Sequence, residues 1–248
     1  MDPRQYTYPG DLLDGRIVLI TGASDGIGRA LALHAAAYGA QVILHGRNTE
    51  KLEKVYDEIE ALDNAPRPSI AVMDLAVADS NAYQTLASSL EEEFGRLDGL
   101  VHNAGILGEL YPIEQYDVAL WQQIMHVNLT AVFALTQVCL PLLKLADDPS
   151  VIFTSSTVGR EGRAFWGAYS ASKFAVESLS QTLADEHRHG KLRANCINPG
   201  PTRTKMRLAA FPGEDRDKLK RPEDLLPSYM YLLGPDSKGV TGESFDAQ

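Results

Sequence analysis

RIVLITGASDGIG, residues 16–28, joins a short β-branched run to three glycines and opens directly into an Ala- and Leu-rich segment. The run is too short for a helix and too apolar for a surface strand, so it reads as a strand buried on both faces. The segment after it ends at Gly39, a helix with its stop signal. Between them lies Thr21-Gly22-Ala23-Ser24-Asp25-Gly26-Ile27-Gly28. Glycines at a strand-to-helix turn permit positive φ and let backbone N–H groups approach a pyrophosphate at the positive helix N-terminus. Tight turns use glycine for structural reasons too. The position of this loop, after the first strand of an alternating chain, favours the phosphate reading.

Outward from this unit the alternation continues. Residues 41–45, 70–73, 97–102, 151–154, 193–197 and 241–246 read as strands. Residues 49–62, 81–94, 114–145, 169–187 and 222–233 read as helices, the third with a kink or break expected at Pro141. This order predicts one α/β domain over residues 1–248: a Rossmann-type, doubly wound parallel sheet of about seven strands with helices on both faces. Residues 1–14 form an N-terminal extension. Pro212, Gly213 and mixed charges break any period over 202–221, which is expected to be the substrate loop.

At 44% hydrophobic and 23% charged residues the 248-residue chain has ordinary globular composition. Its formal charge of −10 disfavours nucleic acid or an anionic membrane as partner, since both favour basic surfaces. No segment is expected to approach the ~20 apolar residues of a membrane helix, and no signal peptide is read in the first residues. Cys139 and Cys196 read as buried thiols, which suits a cytoplasmic setting. Six scattered histidines without cysteine–histidine spacing predict no metal site.

Tyr169 and Lys173 stand at i and i+4, on one face of a helix. Reducing a carbonyl requires a proton for the developing alkoxide, and a nearby lysine cation together with a positive oxidised nicotinamide is expected to lower a tyrosine pKa from its usual ~10. Alone, Y-x-x-x-K is a frequent accident. Thirteen residues earlier Ser156 follows the fifth strand, where ligands bind beyond the carboxyl ends of strands. Ser155 beside it competes for the same role.

These marks, in this order, resemble the short-chain dehydrogenase/reductase family from about Gly15 to Asp246. T-G-x-x-x-G-x-G (Gly22, Ser24, Asp25, Gly26, Ile27, Gly28) corresponds to the family's cofactor loop. Asp74-Leu75 matches the segment that meets adenine, and Asn103-Ala104-Gly105 the N-A-G motif, with His102 where the family often has another asparagine. Pro199, Gly200, Thr202 and Thr204 match the segment holding the nicotinamide amide. The resemblance implies that Tyr169 is the acid–base residue, that Ser156 rather than Ser155 bonds the substrate oxygen, and that Lys173 also contacts the nicotinamide ribose. It implies that Asn128 holds a water connecting Lys173 to solvent. HNAG, the stretch 153–175 and the ending TGESFDAQ resemble more narrowly the YciK branch of bacterial short-chain oxidoreductases, which brings no substrate with it.

For the cofactor, the second strand ends His45-Gly46-Arg47-Asn48. The carboxylate that would accept from an NAD ribose is absent, and Arg47 offers forked donors for a 2′-phosphate, so NADP(H) is expected over NAD(H). Asp25 opposes this, because a negative charge in the glycine loop weakens phosphate binding. Leu107, Leu110, Tyr111, Phe165, Trp166, Met206, Leu208 and Phe211 are expected around the substrate, pointing to a small apolar or aromatic aldehyde or ketone. Arg160 and Arg163 offer a rival reading, recruitment of a carboxylate. A homodimer or homotetramer is expected through the helices at 115–140 and 169–187, which the family pairs across a two-fold axis. The alternative function is a redox-sensing regulator that binds NADP(H) without turnover.

Overall fold

The structure, a computed structural model, describes residues 2–248. Seven strands form one sheet in the order β3-β2-β1-β4-β5-β6-β7: β1 Ile17–Thr21, β2 Gln41–Gly46, β3 Ser69–Val72, β4 Gly99–His102, β5 Ser150–Thr154, β6 Arg193–Asn198 and β7 Ser244–Asp246. Every neighbouring pair is parallel. Alternate residues of each strand serve two different cores. Val18, Ile20, Val42, Leu44 and Val101 face a layer made by α1 (Gly26–Ala37), α2 (Thr49–Glu60) and α8 (Leu226–Leu233). Leu19, Ile43, Leu100, Val151 and Phe153 face the other layer. That layer holds α3 (Ser80–Phe94), α5 (Ala131–Leu143) and α6 (Gly167–Glu186), with α4 (Val118–Met125) leading into α5. This two-faced burial explains why the strands read as continuous apolar runs. Strand order reverses between β1 and β4, which opens a crevice beyond their carboxyl ends.

Four expectations are corrected. The long helix begins at Val118, where Asp117 caps it, and it does not break at Pro141. Pro141 lies in the last turn of α5, and only two residues of the helix follow it. The irregularity is instead a π-helical turn at His126–Thr130. Second, the helical run Val118–Leu143 is long and apolar enough to cross a membrane, contrary to the reading of composition. Half of its most apolar window is buried within the molecule, as befits a core helix. Third, the region 202–221 is not wholly irregular: it carries α7, Lys205–Ala210, capped by Thr204. Fourth, residues 222–225 are a 3₁₀ turn before α8, and β7 is only three residues long.

The N-terminal extension is docked. Tyr6 donates to Asp236 at 3.0 Å and packs edge-on against Tyr231, while Tyr8 meets His34 Nε2 at 2.6 Å and packs edge-on against Tyr38. It thereby covers α1 and α8.

Candidate active site

A cleft of about 550 Å³ opens at the carboxyl ends of β1, β2, β4, β5 and β6. Its floor is built by hydrogen bonds between adjacent strand ends. Thr21 Oγ1 donates to Val101 O and accepts from Asn103 N and Ala104 N, both at 3.0 Å, so one hydroxyl ties the glycine loop to the N-A-G segment. Asn103 Nδ2 donates back to Thr21 O at 3.2 Å. Gly22 and Gly26 have φ of +67° and +54°. A Cβ at Gly28 would stand 2.3 Å from Gly22 O, so the third glycine lets the helix start against the loop. Asp25 caps α1. The N–H groups of the first turn are thereby presented at the cleft, a cradle that fits a pyrophosphate.

Of the residues expected at the cofactor, Gly22, Ser24, Asp25, Ile27, Arg47, Asp74, Leu75, Asn103, Ala104, Gly105, Pro199, Gly200, Thr202 and Thr204 line this cleft. Gly26 and Gly28 are not part of the lining. Arg47, about two-thirds exposed, reaches Asp74 only at 4.0 Å, so its guanidinium is free to turn toward an anion. Sequence reading missed Lys51 and Lys205, both in the lining. Lys51 sits in the first turn of α2, one turn after Arg47, which was a local signal. Lys205 pairs with Asp25, 180 positions away, and left none. His45 is buried at the end of β2 with neither ring nitrogen bonded, and burial lowers its pKa to about 4.

At the other end of the cleft stand Ser156, Tyr169 and Lys173. The phenol of Tyr169 is 8% exposed. Burial pushes its pKa up to about 12, against the opposing hydrogen bond of Ser156. Burial also lowers Lys173 to about 8, although Cys196 and Glu177 favour its charge. The expected depression of the tyrosine is therefore absent in the chain alone. Desolvation outweighs a lysine whose Nζ lies 5.7 Å from the phenol ring centroid and donates to Thr154 O at 2.6 Å. A cationic group bound beside it would reverse the balance.

Asn128 lies on the π-helical turn, a feature common at functional sites. Its side chain is buried and fully engaged: Oδ1 accepts from Ile106 N at 2.8 Å, and Nδ2 donates to Ile106 O and Ser172 Oγ. It holds the segment after Gly105 against α6 from behind the cleft. Ser155 is buried with its hydroxyl unpartnered, whereas Ser156 lines the cleft together with Tyr169.

Around the substrate end, Leu107, Trp166 and Met206 line the cleft as expected. Trp166 also packs edge-on against Tyr169 at 5.9 Å and meets Phe211 at 5.8 Å. Tyr111, Phe165 and Leu208 are exposed outside the lining, and Leu110 and Phe211 do not reach it. Phe165 has a φ of +75°, a turn that sends it outward so that the next residue, Trp166, faces in. Arg160 is held by Glu177, Asp246 and Ser244 and so cannot recruit a carboxylate. Arg163 lies over the Trp166 and Phe211 rings.

The chain matches the short chain dehydrogenase family over residues 16–215. It is 52% identical over 243 residues to the oxidoreductase YciK of Escherichia coli K12, covering 98% of this chain and 96% of that one. A short chain dehydrogenase from Shigella flexneri 2a, solved with NADP, superposes with a TM-score of 0.94 at 52% identity, covering 97% of this chain and 100% of that one. One from Escherichia coli CFT073, solved with NADPH, gives 0.95 at 52%, with the same coverage.

Proposed function

The chain belongs to the short-chain dehydrogenase family, and from that premise we propose that it uses NADPH to reduce a compact apolar or aromatic aldehyde or ketone. The observation that carries this reading is one cleft with a glycine cradle at one end and Ser156, Tyr169 and Lys173 at the other. The nicotinamide supplies a hydride when bound. Ser156 and Tyr169 together offer two hydroxyl donors to a carbonyl oxygen, which stabilise charge where it develops. Tyr169, held protonated by burial, gives the alkoxide its proton. Lys173 keeps N–H groups to spare for the ribose, and Asn128 fixes the loop behind Gly105. Trp166, Leu107 and Met206 exclude water from the reacting carbon.

NADPH oxidation against a carbonyl panel tests this. Compact hydrophobic aldehydes and ketones are expected to give the highest kcat/KM, and a sugar or acyl thioester ahead by a wide margin overturns the substrate class.

The cofactor assignment rests on Arg47 and on the bound NADP and NADPH of the two relatives. Arg47→Ala is expected to weaken NADPH binding about 10- to 100-fold, the worth of one charge-assisted contact. NADH, which has no phosphate to lose, should bind as before. Calorimetry with both cofactors checks this; equal losses would remove Arg47 from the phosphate site. For assembly we propose a dimer, or a tetramer of dimers. Phe133 on α5 and Phe174 on α6 are about half-exposed on the same layer. Light scattering that finds a monomer at micromolar concentration refutes it. Cys139 and Cys196, both free and buried, suit a cytoplasmic setting.

A further inference from the structure

The glycine loop and the substrate loop meet across the cleft at one point. Asp25 Oδ1 accepts from Gly26 N at 2.9 Å, while its Oδ2 pairs with the ammonium of Lys205, the first residue of α7. Beside this pair, a Cβ on Gly26 would lie only 3.4 Å from Thr204 Cγ2. Asp25, Lys205, Arg47 and Lys51 all line the same cleft. Lys51 is near enough to Asp25 to favour its charge, which places the carboxylate toward the corner that Arg47 and Lys51 make positive. Burial favours the neutral acid, yet Lys205 and the Gly26 N–H hold Asp25 ionised.

An unmasked carboxylate at that corner repels a phosphate carrying nearly two charges at neutral pH. We propose that Lys205 is a determinant of cofactor selectivity: by pairing with Asp25 from the opposite loop, it cancels a negative charge that would disfavour a 2′-phosphate. The inference rests on the NADP(H) assignment above. A pair this exposed adds little to folding, so its consequence is for the ligand. A mere clasp between the loops would affect both cofactors alike, whereas masking affects only the phosphorylated one.

Calorimetric titration of NADPH and NADH at low ionic strength tests this on the wild type, Lys205→Met, Asp25→Asn and the double variant. Lys205→Met is expected to weaken NADPH about three- to tenfold, as for a unit charge facing a phosphate across several ångströms of water, and to leave NADH unchanged. The loss should shrink in molar salt. Asp25→Asn should bind NADPH at least as tightly as wild type, and the double variant should match Asp25→Asn. A double variant as weak as Lys205→Met alone would mean that Lys205 touches the cofactor itself, and overturns the proposal. So does an equal loss for NADH, or no loss at all. Wild-type protein binding NADH as tightly as NADPH overturns the cofactor assignment first and the proposal with it.

Discussion

Tyr169→Phe is expected to lower carbonyl reduction by about 10²- to 10⁴-fold, the range for losing a positioned acid or base, while NADPH affinity stays near wild type. The ring remains, so the edge contact with Trp166 and the fit of α6 against the cleft survive. Only the proton donor to the developing alkoxide is lost. Because burial raises the free phenol to about 12, its protonated form prevails well past neutral pH. Reduction should therefore hold its rate from neutral to mildly alkaline pH. Oxidation of the product alcohol needs the phenolate and should rise with pH. Steady-state kinetics in both directions, with fluorescence titration of NADPH, checks this. A variant that keeps more than a tenth of wild-type turnover would remove Tyr169 from the acid–base role.

Arg193→Leu should destabilise the fold by about 3–5 kcal/mol, the cost of breaking a buried ion pair from one side. Arg193 opens β6, and its side chain is 2% exposed. Its fork grips both oxygens of Asp148 at 2.9 and 3.1 Å, and Nη1 donates to Leu232 O and Ser237 Oγ. One guanidinium thus joins the β5 approach, β6 and the end of α8. Leucine would strip Asp148 and Ser237 Oγ of the donors the guanidinium gives them, leaving Leu232 O to Ser150 Oγ and Arg16 as the remaining cation near Asp148. In a chain of this size the melting temperature should fall by about 10 °C. Arg193→Lys keeps charge without the fork and should fall between the two. Denaturant unfolding measures both; a loss under about 1 kcal/mol for leucine would show that the network carries no stability.

Much of the site was legible because its signals are local. Gly22, Gly26 and Gly28 act within one turn, and each is required there by positive φ or by a Cβ that has no room. Tyr169 and Lys173 share a helix face by spacing, and Arg47 follows its strand directly. The apolar runs of β1, β2 and β4 by themselves imply a sheet covered on both faces. The partners of Asp25 and Arg160 were not legible, for the opposite reason: Lys205 pairs with one, and Glu177 and Asp246 with the other, all far along the chain.

The chain's local chemistry thus sufficed for the alternating fold, the glycine turn and the helix face that Tyr169 and Lys173 share, since backbone preference and i, i+4 geometry act over a few residues. Burial and long-range pairing set the rest. They raise Tyr169 and lower Lys173 together. They place the helix irregularity at Asn128 rather than at Pro141. They turn Trp166 inward and Phe165 outward. Desolvation and Coulomb partners depend on which distant residues the fold packs together, and a linear chain carries no local mark of that.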